Sequence, residues 1–153
     1  MKIVSTQYSL IYKSFEIYLS GCKANPKCKN CCNPELWNFN IGKEYNQYIF
    51  EEYYNKIKRF DSLIDNIFIL GGDPIDQNKE ELIVLLFDFK KTQKPIWIFT
   101  RYDLKNIDKN ILELSDYMKC GKYQENLLCK NNIQYGIKLA TSNQRIYKKG
   151  IDY

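Results

Sequence analysis

Cysteine is concentrated in one short stretch of this chain. Cys22, Cys28 and Cys31 follow an apolar run over 15–19 that is typical of a β-strand, and Cys32 is adjacent to the last of them. A strand that leads into a cysteine-rich loop places several thiols at one end of a sheet. Thiolates are soft ligands that suit zinc or iron–sulfur clusters. Three of them can hold three irons of a cubane cluster and leave the fourth iron open to a substrate.

Other uses of the cysteines stay open at this point. Structural zinc needs four ligands, usually as two spaced pairs, and the second pair would have to be Cys120 and Cys129, which are far apart for such a pair. An electron-carrying cluster would need a fourth ligand close by, such as Cys32. Otherwise we interpret Cys32, Cys120 and Cys129 as packing residues. The chain has no histidine, which excludes histidine-based nucleophilic, general-base and zinc mechanisms.

Length and composition indicate one globular domain over residues 1–153, with 44% apolar residues. No apolar run reaches the roughly 18 residues of a membrane span, and the N-terminal residues lack the features of a signal peptide. We therefore expect a cytoplasmic protein without a membrane partner, whose cysteines are reduced. The net charge of +5 comes from lysines mixed with acidic residues on predicted helices, which favours solvated helix faces over a nucleic-acid site.

Strands and helices alternate along the chain. The predicted helix over 44–59 carries apolar residues at four-residue spacing, and Asn78 can cap the next helix. A third helix is predicted over 104–114. The predicted strands cover residues 14–20, 66–70, 95–100 and 117–120. This alternation predicts an α/β fold with right-handed crossovers and a mainly parallel sheet. Because a complete eight-unit barrel needs about 250 residues, we expect a partial, open (β/α) barrel.

Three loops directly follow predicted strands. They are the cysteine loop, the Gly71-Gly72-Asp73 segment and the Thr100-Arg101-Tyr102 segment. Ligands of parallel sheets bind beyond the carboxyl ends of the strands, so we expect these loops to meet at one rim. Taken alone, Gly71-Gly72-Asp73-Pro74 is also compatible with an ordinary strand-to-helix turn.

Five segments in this order resemble the radical S-adenosylmethionine superfamily. Within it, the chain is most similar to the glycyl-radical enzyme activases that serve anaerobic ribonucleotide reductases. The matching segments are residues 19–22, 28–37, 70–75, 97–102 and 142–146. Two features depart from the family pattern: the cysteine spacing is Cys-x5-Cys-x2-Cys instead of Cys-x3-Cys-x2-Cys, and Arg101 stands where related activators tend to have glycine.

The resemblance implies a [4Fe-4S] cluster and S-adenosylmethionine as cofactors. Cys22, Cys28 and Cys31 would hold the cluster, and its open iron would chelate the amino and carboxylate groups of S-adenosylmethionine. Glycine backbone would approach the ligand closely, and the Asp73 carboxylate would suit the ammonium group of the methionine moiety. The implied residues at the cofactor are Gly71, Gly72, Asp73, Thr100 and Asn143.

The resemblance also implies a reaction and its partners. One electron would break the sulfonium C–S bond and give a 5′-deoxyadenosyl radical, which would install a glycyl radical on a large anaerobic ribonucleotide reductase. The electron would come from a reductant such as flavodoxin or ferredoxin. The alternative is an enzyme of the same superfamily that modifies a peptide or a small molecule.

Overall fold

The computed structural model describes residues 1–153 and contains nine strands and three α-helices. The elements, in chain order, are β1 (Lys2–Ser9), β2 (Ser14–Leu19), β3 (Lys43–Glu44), α1 (Gln47–Arg59), β4 (Asn66–Gly71), α2 (Lys79–Lys90), β5 (Ile96–Phe99), α3 (Lys109–Leu114), β6 (Tyr117–Cys120), β7 (Ile133–Gln134), β8 (Ile137–Lys138) and β9 (Arg145–Lys148). Short 3-10 turns follow several of the strands.

Seven strands form one sheet in the order β3-β1-β2-β4-β5-β6-β9. The four central strands, β2, β4, β5 and β6, run parallel to one another, whereas the outer strands pair antiparallel. Helices α1, α2 and α3 connect the parallel strands, as crossovers between parallel neighbours require. The predicted α/β fold with a mainly parallel central sheet is therefore confirmed. The sheet stays open, with β3 and β9 as its two edges.

Side chains of the central strands alternate between two apolar layers. Ile67 and Ile69 of β4 belong to the main core of 21 buried residues, which lies between the sheet and the helices. Phe68, between them, faces the opposite side and packs with Trp97 in a second cluster, to which Ile137 and other residues of the C-terminal segment contribute. The C-terminal segment therefore covers the face of the sheet that the helices leave free.

The element bounds differ from the predictions in three places. Helix α1 begins at Gln47 because the Asn46 side chain accepts a hydrogen bond from the backbone of Ile49 and caps it there. The predicted helix over 104–114 is a 3-10 turn followed by the short helix α3. Strands β1 and β9 and the two-residue strands β3, β7 and β8 were not predicted. No helix has the length and apolar character needed to cross a membrane.

Candidate functional site

A cavity of about 350 Å³ lies at the carboxyl ends of the parallel strands. All four cysteines of the 22–32 stretch line it, together with residues of the loops that follow β4 and β5. Its wall also includes Trp37, Phe99 and Leu139, so much of the lining is apolar. The volume is within the range of small-molecule sites. The three loops that the sequence placed at one rim do meet around this cavity.

Backbone hydrogen bonds fix the start of the cysteine loop beside its end. The amide of Gly21 donates to the carbonyl oxygen of Leu36 at 2.7 Å, and the amide of Cys22 donates to that of Trp37 at 3.2 Å. The amide of Lys23 donates to the Asp76 carboxylate at 2.6 Å. Cys22 is therefore held against the end of β2.

Cys22, Cys28 and Cys31, which we call the cysteine trio, lie close enough for the first and the last to affect the pKa of Cys28. Cys22 is buried and the other two are half-buried. Burial raises the pKa of Cys28, and the thiolates of Cys31 and Cys22 raise this pKa further. A cationic centre shared by the trio would relieve this repulsion, because thiolates beside positive charge are stabilised.

The donor set fits an iron–sulfur cluster. All six cysteines are free thiols, and an all-thiolate set suits iron–sulfur clusters. No three cysteine, aspartate or glutamate side chains are arranged as a preformed metal site, so what supports the assignment is the shared cavity and the mutual effect on the pKa of Cys28. The cysteine trio would hold the cluster.

Gly71 and Gly72 allow the end of β4 to approach neighbouring backbone. Gly71 has a φ of +132°, and a Cβ atom there would lie 2.1 Å from the carbonyl oxygen of Leu19. A Cβ atom on Gly72 would lie 2.1 Å from the carbonyl oxygen of Gly21. The sequence suggested that these glycines make room for a ligand. In the structure they make room for the end of β2 and the start of the cysteine loop.

The Asp73 carboxylate is buried and joins the loops after β4 and β5. It accepts hydrogen bonds from the amide of Ile75 at 3.0 Å, the hydroxyl of Thr100 at 2.7 Å and the amide of Arg101 at 3.0 Å. Burial raises the pKa of Asp73, and these three hydrogen bonds oppose that rise. The carboxylate therefore links the loops after β4 and β5 through hydrogen bonds.

Asp76 extends this network to the cysteine loop. Its carboxylate accepts hydrogen bonds from the Arg101 guanidinium at 2.9 Å, from the Tyr102 hydroxyl at 2.7 Å and from the amide of Lys23. Asp76 is 2% exposed. The sequence analysis did not identify Asp76 as a site residue. The signal that could have identified it is a second aspartate three residues after Asp73, in a chain whose next strand is followed by Arg101.

Most of the residues predicted at the cofactor meet at the cavity. Gly72, Asp73, Thr100 and the cysteine trio line it, whereas Gly71 is one position behind the lining at the end of β4. Asn143 lies outside the lining, exposed, and its amide donates to the carbonyl oxygen of Lys122 at 2.8 Å. The buried neighbour Gln144 lines the cavity instead.

Lys119 and Cys32 are further lining residues that the sequence analysis did not assign to the cofactor. Cys120 and Cys129 do not line the cavity. Cys120 belongs to the main core, where burial raises the pKa of its thiol to about 12. This agrees with its interpretation as a packing residue.

Comparison with known proteins identifies the family of this site. The chain is 28% identical over 113 residues to the anaerobic ribonucleoside-triphosphate reductase-activating protein of Haemophilus influenzae, an alignment that covers 70% of this chain and 72% of that protein. Residues 13–147 match the family described as the 4Fe-4S single cluster domain. The match includes the cysteine trio, all four parallel strands and nearly all of β9. The chain therefore belongs to the 4Fe-4S single cluster domain family.

Proposed function

We propose that this protein is a radical S-adenosylmethionine activase that installs a glycyl radical on an anaerobic ribonucleotide reductase. One observation carries the proposal: the cysteine trio lies in one cavity with Gly72, Asp73 and Thr100, at the carboxyl ends of parallel strands. The name of the Haemophilus influenzae relative supports the target. We further propose that the open sheet is a partial barrel of the radical S-adenosylmethionine type.

The residues of this chain would bind and shield the reactants. The cysteine trio would hold a [4Fe-4S] cluster, and the apolar side chains of Trp37, Phe99 and Leu139 would exclude water from the cavity. When bound, such a cluster would supply the one electron needed for reductive cleavage of S-adenosylmethionine to methionine and a 5′-deoxyadenosyl radical, which would take a hydrogen atom from the substrate glycine to give 5′-deoxyadenosine and the glycyl radical.

The aspartate network would keep the rim in one arrangement during the reaction. Asp73 connects the loops after β4 and β5, and Asp76 connects both to the cysteine loop through the amide of Lys23. Reacting groups must be held within a fraction of an ångström for efficient catalysis. We therefore assign Asp73, Asp76 and Arg101 a positioning role.

The proposed partners are a large reductase chain and a small reductant such as flavodoxin or ferredoxin. The cavity is built from loops at the rim of a 153-residue chain, so a protein substrate would approach it from outside. Such a cluster needs reducing surroundings, and the cytoplasm stays the expected location.

An electron paramagnetic resonance experiment tests this proposal. The anaerobically reconstituted protein is mixed with S-adenosylmethionine, a reductant and an anaerobic ribonucleotide reductase from the same organism, and the expected result is a glycyl-radical doublet on the reductase. The matched control is Cys28→Ser, which removes one member of the trio and should give no doublet. Turnover on an unrelated peptide without any doublet on the reductase would favour the alternative, a peptide- or small-molecule-modifying enzyme.

A further inference from the structure

Lys119 places a positive charge on the face of the sheet that the C-terminal segment covers. It lies on β6 in register with Phe99 of β5 and Ile146 of β9. Its neighbours in the strand, Met118 and Cys120, face the main core on the other side. By strand alternation the Lys119 side chain lies on the face that bounds the cavity, and it contributes to the cavity wall.

This ammonium group forms no ion pair within the protein, although Cys120, Asp73 and Cys28 are near enough to raise its pKa against the effect of burial. Its one hydrogen bond goes to the carbonyl oxygen of Gly121 at 3.3 Å, which leaves two donors unused. Burial lowers the pKa of Lys119 to about 8. Buried charges are normally paired, because an unpaired one loses its hydration without compensation.

The other cations of the cavity wall are already accommodated. Arg101 forms an ion pair with the Asp76 carboxylate at 2.9 Å, and Lys138 is exposed to solvent. Lys119 is therefore a half-buried cation of this cavity that lacks an ion-pair partner. S-adenosylmethionine, the ligand proposed for this cavity, carries two cationic groups, its sulfonium and its ammonium, and one anionic group, its carboxylate. The carboxylate is therefore the one group of this ligand that a cation of the cavity wall can pair with.

We propose that Lys119 binds the carboxylate of S-adenosylmethionine. This inference rests on the function proposed above and adds to it a binding residue that neither the sequence motifs nor the network of Asp73 and Asp76 supplied. The ligand carboxylate would accept hydrogen bonds from the two unused donors of the ammonium group, and the Lys119 charge would gain an ion-pair partner.

The test compares Lys119→Met with Lys119→Arg in the cluster-loaded protein. Lys148→Met is the matched control, since Lys148 is a half-buried lysine on the neighbouring strand β9, outside the cavity. Affinity for S-adenosylmethionine is measured by titration, with the spectrum of the cluster as the signal. Loss of a charged hydrogen bond predicts affinity about 10- to 150-fold weaker for Lys119→Met. We expect Lys119→Arg to recover part of that loss and Lys148→Met to bind like the wild type.

A second ligand separates a binding role from a merely structural one. Decarboxylated S-adenosylmethionine lacks the group that Lys119 would bind, so Lys119→Met should bind it at least as well as the wild type does. Equilibrium dialysis measures this binding, because that readout does not require the ligand carboxylate to reach the cluster. Equal weakening toward both ligands, or loss of iron and sulfide from Lys119→Met, would show a structural role and overturn the inference.

The outcomes also separate this inference from the proposed function. If the wild type binds S-adenosylmethionine and Lys119→Met binds it equally well, the assignment of Lys119 is wrong and the proposed function stands. If the cluster-loaded wild type binds no S-adenosylmethionine, the proposed function fails and this inference fails with it.

Discussion

Replacing Asp73 by alanine distinguishes a structural carboxylate from a ligand-binding one. Its side chain accepts hydrogen bonds from Ile75, Thr100 and Arg101 and is 2% exposed. Asp73→Ala leaves all three donors without their acceptor at a position that is almost fully buried. We therefore expect the variant to lose stability as well as affinity for S-adenosylmethionine.

The size of the loss follows from the number of donors. An unsatisfied buried donor costs about 1–3 kcal/mol, and removing one partner of a buried charged network costs about 3–5 kcal/mol. We expect Asp73→Ala to lower the free energy of unfolding by about 3–5 kcal/mol. Asp73→Asn keeps one acceptor oxygen for the Thr100 hydroxyl and the Ile75 amide, so its loss should be about 1–3 kcal/mol.

Urea denaturation followed by tryptophan fluorescence measures both variants against the wild type. Trp37 lines the cavity and Trp97 lies in the second apolar cluster, so both regions contribute to the signal. A loss below about 1 kcal/mol for Asp73→Ala, together with abolished S-adenosylmethionine binding, would refute the structural role and show that the carboxylate binds the ligand directly.

Three further predictions concern the rim. Serine variants of the cysteine trio should lose the iron and sulfide that Cys32→Ser retains after anaerobic reconstitution, and full loss in Cys32→Ser alone would reverse the ligand assignment. Gly72→Ala should lower the free energy of unfolding by about 1–3 kcal/mol or more, as overpacking does, because its Cβ atom would lie 2.1 Å from the carbonyl oxygen of Gly21; urea midpoints equal to the wild type would contradict this. Burial lowers the pKa of Lys119 from 10.5 to about 8, so its charge destabilises the folded cluster-free protein fully below pH 8 and progressively less up to about pH 10.5. At about 1.36 kcal/mol per pH unit, this difference in pKa predicts that the free energy of unfolding of the wild type rises by about 3 kcal/mol relative to that of Lys119→Met between about pH 8 and pH 10.5. Parallel pH profiles of the free energy of unfolding of the two proteins would contradict this prediction.

The central strands were predictable because their residues are buried on both faces. The run 66–70 contains four consecutive apolar residues and corresponds to β4 within one residue. Strand β1 was not predictable in this way, since Ile3 is its one buried residue and polar side chains occupy much of the rest. This strand forms because it pairs with β2 along nearly its whole length, which local sequence does not reveal.

The site was predictable in position but less so in the roles of its residues. Strand ends and motif order brought the cysteine trio, Gly72 and Asp73 to one cavity. The sequence motifs did not reveal that the Asp73 carboxylate accepts hydrogen bonds from Thr100 and Arg101, because hydrogen bonds between distant loops depend on tertiary packing. The interior position of Lys119 follows from strand alternation beside Met118, but its lack of a partner is visible only in the folded chain.

The two backbone hydrogen bonds that join Gly21 to Leu36 and Cys22 to Trp37 form a closed neck. Residues 24–35 form a loop beyond this neck, whose length does not affect the strands below it. Loop-closure entropy grows slowly with length, so two additional residues cost about 0.2 kcal/mol. The cluster loop is thus a module that can lengthen while its base stays fixed, which allows the Cys-x5-Cys spacing without displacing the strands.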